Sequence, residues 1–376
     1  MRITLTRLEG ASISVDVEPT SGVEALRDIV FESTGLPPDE QAFIFGARLD
    51  NVKTLEEQGV MEGSELTLVV MGALQALTWF GGTLRTWDVH SMQSAILLEC
   101  EEPILTAINT VGGCFACSIS PQAHDDISIW STATKERIAV LSGHANTIYS
   151  ARFSPDGSML ATTSQDATAK LWDVKTGACL TTVNGHEGTV FSAAFSPDLR
   201  SLITACGGDC SSKIWQIDTG KCIATFDAHD DVVLYSAEFS PDALMALTAS
   251  CRGTVRFWSI ETCVCLFVLA AHDADIRTMS FSMDGRCMVT SSGDRTAKLW
   301  KINVEDCKCD LVQSFLGHKE CVISAYLSPD GRKLITASED QTTKVWSSPA
   351  GYCLATFDDN SLPRDSQVGS AGFYRA

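Results

Sequence analysis

The chain has 376 residues, 45% hydrophobic, 20% charged and 8% aromatic, the proportions of a globular protein with room for two or three domains or one repeat array. Lys and Arg total 28 against 47 Asp and Glu, a net charge of −19. That balance argues against a nucleic-acid or membrane-surface binder, because both need clustered positive charge to displace counterions. The longest weakly polar run, residues 67–80, contains Gln75 and is too short to span a bilayer.

The chain opens on an alternating strand pattern and not on a basic segment followed by an apolar one, so no secretory leader is expected. The 15 cysteines are odd in number, and no Asn-x-Ser/Thr sequon occurs. A reducing intracellular setting follows, cytoplasmic before nuclear.

Residues 1–72 contain no Cys, His or Trp and carry 13 acidic against 5 basic residues. Ile3 and Leu5, then Ile13, Val15 and Val17, alternate as a hairpin around Leu8-Glu9-Gly10. Ser21 followed by Glu24 predicts a capping box. Val23, Leu26 and Val30 supply an apolar helical face, which Gly35 ends and Pro37-Pro38 keeps from resuming. With Glu18-Pro19, Ile44-Phe45 and Leu66-Thr67-Leu68-Val69-Val70, this segment resembles ubiquitin along its full length, about one residue shorter near 46–49.

The resemblance implies an α+β ubiquitin-like β-grasp domain. It also places ubiquitin's interaction patch on Leu8, Ile44 and Val69, with Thr67 where ubiquitin has a histidine. These three residues are protein-binding candidates or ordinary strand hydrophobics, and exposure decides between the two. Ala73-Leu74-Gln75 stands where ubiquitin has Arg-Gly-Gly, and Lys53 is the only lysine of the segment. Both departures imply a fixed, uncleaved interaction module.

From residue 73 onward tryptophan keeps a register: Trp87, Trp130, Trp172, Trp215, Trp258, Trp300 and Trp346 are 42 to 46 residues apart. His144, His186, His229, His272 and His318 each precede the repeat Trp by 28 or 29 residues. Phe-Ser-Pro-Asp or a near relative falls between them, and each unit reads as short strands broken by tight turns. Gly143-His144, Ser154-Pro155-Asp156-Gly157, Asp166 and Leu171-Trp172-Asp173 resemble the WD-repeat β-propeller family over roughly 73–376.

The expected fold is therefore mainly β, a seven-bladed WD-repeat β-propeller (73–376) preceded by the ubiquitin-like domain (1–72). Blade 1 has no inner strand of its own, whereas residues 368–373 repeat the inner-strand pattern, so a C-terminal strand at 366–374 is expected to complete it.

The resemblance further implies a buried His, Ser/Thr, Asp and Trp network in each blade. It falls on His144, Ser164, Asp166 and Trp172, on His272, Ser292, Asp294 and Trp300, and on His318, Ser338, Asp340 and Trp346. Blade 4 keeps His186, Asp209 and Trp215 but has Gly207 where the hydroxyl is expected, and blade 5 has Arg252 in place of Asp. Blades 1 and 2 lack the Gly-His element, so all four of these blades are expected to be less rigid.

No catalytic, cofactor or metal site emerges. Cys114-Phe115-Ala116-Cys117 is a lone Cys-x-x-Cys, and no phosphate-binding loop or nucleophile elbow is present. The starts of the inner strands line the channel mouth in such propellers, which makes Tyr149, Phe191, Tyr235, Arg277 and Ile323 contact candidates, with packing between blades as the alternative.

The reading is a non-catalytic protein–protein interaction scaffold, monomeric within a larger complex. It engages protein partners such as basic segments or ubiquitin receptors, and neither nucleic acid nor membrane. The alternatives are a ubiquitin–proteasome adaptor that recruits substrates and an enzyme with a channel active site.

Overall fold

The computed structural model describes residues 1–7, 12–36, 38–45, 47–49, 53–70, 74–80, 83–88, 93–99, 106–109, 114–117, 126–226, 232–303, 308–358 and 371–375. The chain divides into two compact units, Met1–Leu74 with Arg375–Ala376, and Gln75–Tyr374.

The first unit has a five-stranded mixed sheet. Its strands are β1 (Arg2–Arg7), β2 (Ser12–Asp16), β3 (Gln41–Phe45), β4 (Ala47–Arg48) and β5 (Glu65–Val70), in the order β2-β1-β5-β3-β4. One helix, α1 (Val23–Thr34), turns Val23, Leu26 and Val30 onto Ile3, Leu5, Val15 and Phe43 of the sheet. Gly35 ends the helix in the left-handed region (φ 70°) and donates its N–H to Phe31 O at 2.7 Å.

The Ser21–Glu24 capping box does not form. The helix starts after Gly22, without a side-chain cap, and Ser21 is held through its backbone by Glu18 and Leu55. A reciprocal box closes elsewhere: Thr54 N–H donates to Glu57 Oε2 at 2.9 Å, and Glu57 N–H to Thr54 Oγ1 at 3.2 Å.

Among the described residues of the second unit there are seven four-stranded sheets, the blades. Blade 3 is typical, running from its inner strand Ile148–Phe153 through Met159–Ser164 and Thr168–Asp173 to the outer strand Cys179–Asn184. Tight turns at Gly157 (φ 71°) and Ala167 (φ 65°) join the inner three strands. Apolar side chains of the middle strands face both neighbours, so a cluster fills the gap between consecutive blades. Between blades 3 and 4 it contains Ala161, Leu171 and Val183 against Phe195, Leu202 and Trp215.

Blade 1 is assembled from both ends of the chain: Gly372–Arg375 lies beside Leu74–Phe80, followed by Thr83–Asp88 and Ser94–Glu99. The start of the expected C-terminal strand, residues 366–370, lies outside the described residues. The seam between blades 7 and 1 repeats the contacts of other junctions. Phe357 stacks on Trp87 with centroids 4.3 Å apart, as Phe226 meets Trp258 at 5.0 Å and Phe315 meets Trp346 at 5.8 Å. Lys135 Nζ of blade 2 donates to Ile96 O of blade 1 at 3.2 Å.

Candidate functional site

The blade network is a relay with threonine at its centre. In blade 3, Trp172 Nε1–H donates to Thr162 Oγ1 at 2.8 Å, and His144 Nε2 lies 2.7 Å from the same oxygen. His144 Nδ1 lies 2.8 Å from Asp166 Oδ2. A carboxylate only accepts, so Nδ1 carries the proton and Nε2 accepts the Thr162 hydroxyl. The same geometry recurs through Thr204 with His186 and Trp215, Thr290 with His272 and Trp300, and Thr336 with His318 and Trp346.

The expected hydroxyls at Ser164, Ser292 and Ser338 do other work. Each accepts the N–H of its Asp at 3.1 Å and ties the turn below the relay. Blade 4 is complete: its register places Cys206 opposite Val190 where blade 3 has Ser164 opposite Ile148, and Gly207 belongs to a one-residue-longer turn. Trp258 of blade 5 keeps its bond to Thr248 at 2.8 Å, and Trp87 of blade 1 bonds Thr78 at 2.7 Å. His229 lies outside the described residues. The missing signal was a threonine ten residues before Trp172, Trp258, Trp300 and Trp346 alike.

Burial alone would raise the Asp166 carboxyl. Hydrogen bonds from Thr168 Oγ1, Ala145 N–H and His144 override it and hold the group at about 2. Asp209, Asp294 and Asp340 are lowered in the same way. Burial depresses His186 below its ordinary value despite Asp209. His186, Cys206 and Asp209 are the metal-type cluster found among the described residues. Both ring nitrogens of His186 are already engaged, and burial lifts the Cys206 thiol to about 11, so the trio reads as framework.

Each predicted contact residue is the extra residue of a β-bulge in an inner strand. The pairing slips between Ile148 and Ser150, Val190 and Ser192, Leu234 and Ser236, Ile276 and Thr278, and Val322 and Ser324. A bulge leaves its extra residue outside the ladder and re-aims its side chain. The structure brings four of the five into one arc. Tyr149 meets Phe191 edge-on at 5.1 Å, Phe191 meets Tyr235 at 5.1 Å, and the Arg277 guanidinium lies 5.1 Å from the Tyr235 ring centre.

Arg277 is oriented by Asp275, Nε to Oδ2 2.7 Å, an ion pair off the N–H direction. Phe191 rests on Gly207, where a Cβ would stand 2.4 Å from its ring. Tyr149 keeps 42% of its surface exposed, and Phe191 and Tyr235 are half-buried. Ile323 is half-buried and outside the arc.

On the inner strands, Arg152 of blade 3 reaches across blade 4 to Glu238 of blade 5, Nη1 to Oε1. Tyr326 of blade 7 lies within electrostatic range of both. These residues hold one inner-strand position, at which blades 4, 6 and 1 have the small Ala194, Ser280 and Gly372. Burial raises the Glu238 carboxyl from its ordinary value, and the Arg152 guanidinium works against it. Nothing in the sequence pairs these positions, because they lie 86 residues apart.

On the first unit, Ile44 is 37% exposed and sits opposite Thr67 of β5. Val69 pairs with Ala42 across the same strands, but its side chain lies outside the described residues, as does all of Leu8.

Among the described residues, seven four-stranded sheets, four of them with a Trp–Thr–His relay, and a β-grasp unit before them define a propeller carrying a ubiquitin-like module. The family model for the WD domain, G-beta repeat, matches residues 135–173, 177–216, 220–259, 263–301 and 309–347, together more than half of the chain. The ubiquitin family model matches 3–71. The chain belongs to the WD-repeat family, with a ubiquitin-family domain at its start.

Similar curated proteins divide between the two parts. A ubiquitin-like protein NEDD8 of Dictyostelium discoideum is 34% identical over 71 residues, 19% of this chain and 92% of that protein. A NEDD8-like protein RUB1 of Saccharomyces cerevisiae is 31% identical over 71 residues, with the same coverage. Apoptotic protease-activating factor 1 of Danio rerio is 30% identical over 94 residues, 24% of this chain and 7% of that protein. WD repeats and a ubiquitin-like domain together support a protein-interaction scaffold. Among the described residues no helix is long and apolar enough to cross a membrane.

Proposed function

We propose that the chain is a non-catalytic scaffold of two modules, 1–72 and 73–376, each docking its own protein partner. The observation that carries this is the arc Tyr149–Phe191–Tyr235–Arg277, a continuous run of aromatic rings ending in a guanidinium. Those residue types dominate binding energy at protein interfaces, and stacking on one another lowers the entropy lost on docking. The net charge of −19 favours partners with basic segments. The non-catalytic reading is supported by the pairing of Arg152 with Glu238 and of each relay His with Asp and Thr, which engages those groups within the fold. Exposed thiols at Cys179, Cys222, Cys263 and Cys353 fit a reducing cytoplasmic setting.

The test is quantitative affinity capture with wild type, Tyr149→Ala/Tyr235→Ala and Ile44→Ala. Distinct partner sets should be lost from the two variants. Equal recovery by all three would remove both surfaces. A second reading, an adaptor that brings propeller-bound substrates to the ubiquitin–proteasome pathway, is favoured by the exposure of Ile44 on a ubiquitin-family sheet. It requires ubiquitin receptors or proteasome subunits among the proteins lost with Ile44→Ala.

A further inference from the structure

We propose that blade 4 carries a zinc site, with His186 Nδ1, Cys206 Sγ and Asp209 Oδ2 as its protein ligands. The three ligand atoms lie within 4.8 Å of one another, all buried but for part of Asp209. Tetrahedral zinc sets such atoms about 3.5 Å apart, so small side-chain shifts close the site. The other relays lack it. Where blade 4 has Cys206, blades 3, 6 and 7 have Ser164, Ser292 and Ser338, whose hydroxyls each accept a turn N–H.

Without metal the trio is framework, kept so by two protons. His186 Nδ1–H donates to Asp209 Oδ2 at 2.8 Å, and the Cys206 thiol holds its own proton. The groups that surround a metal ligand are nevertheless in place. Ser211 N–H and its hydroxyl hold Asp209 Oδ1 at 3.1 and 2.9 Å, which aims Oδ2 at the imidazole. The backbone N–H groups of Gly208 and Asp209 favour a thiolate at Cys206.

The relay supplies the change of tautomer. Thr204 Oγ1 lies 3.4 Å from Lys213 O, a second acceptor for its hydroxyl proton. With that hydroxyl turned to Lys213 O, His186 carries its proton on Nε2, donates it to Thr204 Oγ1 and frees Nδ1 for the ion. The imidazole stays neutral, the thiol proton leaves to solvent, and water takes the fourth position. Lys213 Nζ, 4.0 Å from Asp209 Oδ2, is the charge that opposes the ion. Gly207 of the same turn lies under Phe191, so the ion fixes the platform of the aromatic arc.

The experiment titrates the full, reduced chain with Co2+ alone and with Zn2+ alone, read by visible absorption and melting temperature. Wild type should take one Co2+ with the absorption of a four-coordinate thiolate site, and Zn2+ should displace it and raise the melting temperature. Cys206→Ser installs the residue of blades 3, 6 and 7, so the fold stands. It should lose the cobalt absorption and weaken Zn2+ binding about tenfold or more. Lys213→Met removes the opposing ammonium and should tighten Zn2+ binding about threefold or more. Cys179→Ser/Cys222→Ser, which removes exposed thiols, should leave the spectrum unchanged. A wild-type chain without a four-coordinate cobalt spectrum, or a spectrum that Cys206→Ser retains, would overturn the proposal.

Discussion

Ala371 donates its backbone N–H to Ser324 Oγ at 3.4 Å, repeating across the seam of the chain ends a bond made at other junctions. Ala237 donates to Ser192 Oγ at 3.0 Å, and Ala325 to Thr278 Oγ1 at 3.3 Å. The C-terminal strand therefore occupies the place of an ordinary inner strand.

Deleting residues 366–376 should remove this closure and leave the edge of Leu74–Phe80 unpaired. The propeller is then expected to lose its cooperative thermal transition. Phe373, 5% exposed, is the apolar anchor of the strand, and Phe373→Ala alone should cost about 3 kcal/mol. A truncated chain that melts as wild type does would show the strand to be dispensable.

Thr162→Val keeps the shape of the relay but strands a buried indole N–H and a buried imidazole nitrogen. A loss of about 3 kcal/mol in urea unfolding is expected, against about 1 kcal/mol for Ser164→Ala, which frees one turn N–H. Comparable losses in the two variants would refute threonine as the centre of the relay.

Acid should act on the propeller in two windows. The relay aspartates have folded values below their ordinary 3.8, so their contribution is complete above 3.8 and is lost as pH falls toward about 2, the value held by Asp166. His186 is also depressed below its ordinary 6.5, so the neutral form is favoured on folding and stability falls as pH drops below 6.5. Protonating its Nε2 also turns an acceptor into a donor facing the Thr204 hydroxyl. Asp166→Asn should flatten the limb below 3.8, and a titration of melting temperature against pH measures both windows.

The Arg152–Glu238 ion pair should be costly to break and cheap to replace. Glu238→Gln or Arg152→Met is expected to cost about 2 kcal/mol, less than a fully buried pair because Arg152 keeps 39% of its side chain accessible. The double variant Arg152→Met/Glu238→Leu should recover most of that loss. Additive losses in the cycle would show the two side chains to be uncoupled.

Ala243 stands at φ 57° in the turn where blades 3, 6 and 7 have Gly157, Gly285 and Gly331. Ala243→Gly should stabilise the chain by about 1 kcal/mol. Gly331→Ala, at φ 72° with open space around the added Cβ, should cost about the same. Chemical denaturation of the two variants checks the opposite signs.

Periodicity made the architecture legible in the sequence. The seven tryptophans, the five histidines before them and the inner-strand pattern at 368–373 are local signals, since each blade is built from neighbours along the chain. The same repetition singled out five inner-strand positions, and pairing shows each of them to be the extra residue of a bulge. It misplaced the relay hydroxyl by two residues, because Thr162 and Ser164 are both hydroxyls on one strand and only pairing shows which one meets the indole. The Ser21–Glu24 cap failed for a related reason: backbone bonds to Glu18 and Leu55 claimed Ser21 first.

The amino-acid order determined the blades, the β-grasp helix with its Gly35 stop, and the acidic charge of −19. Tertiary structure decided the rest: that Arg152 meets Glu238 across an intervening blade, and that Tyr149, Phe191, Tyr235 and Arg277 form one arc. Each of these is a distance between residues far apart in the chain. Such quantities acquire values only when the ring closes.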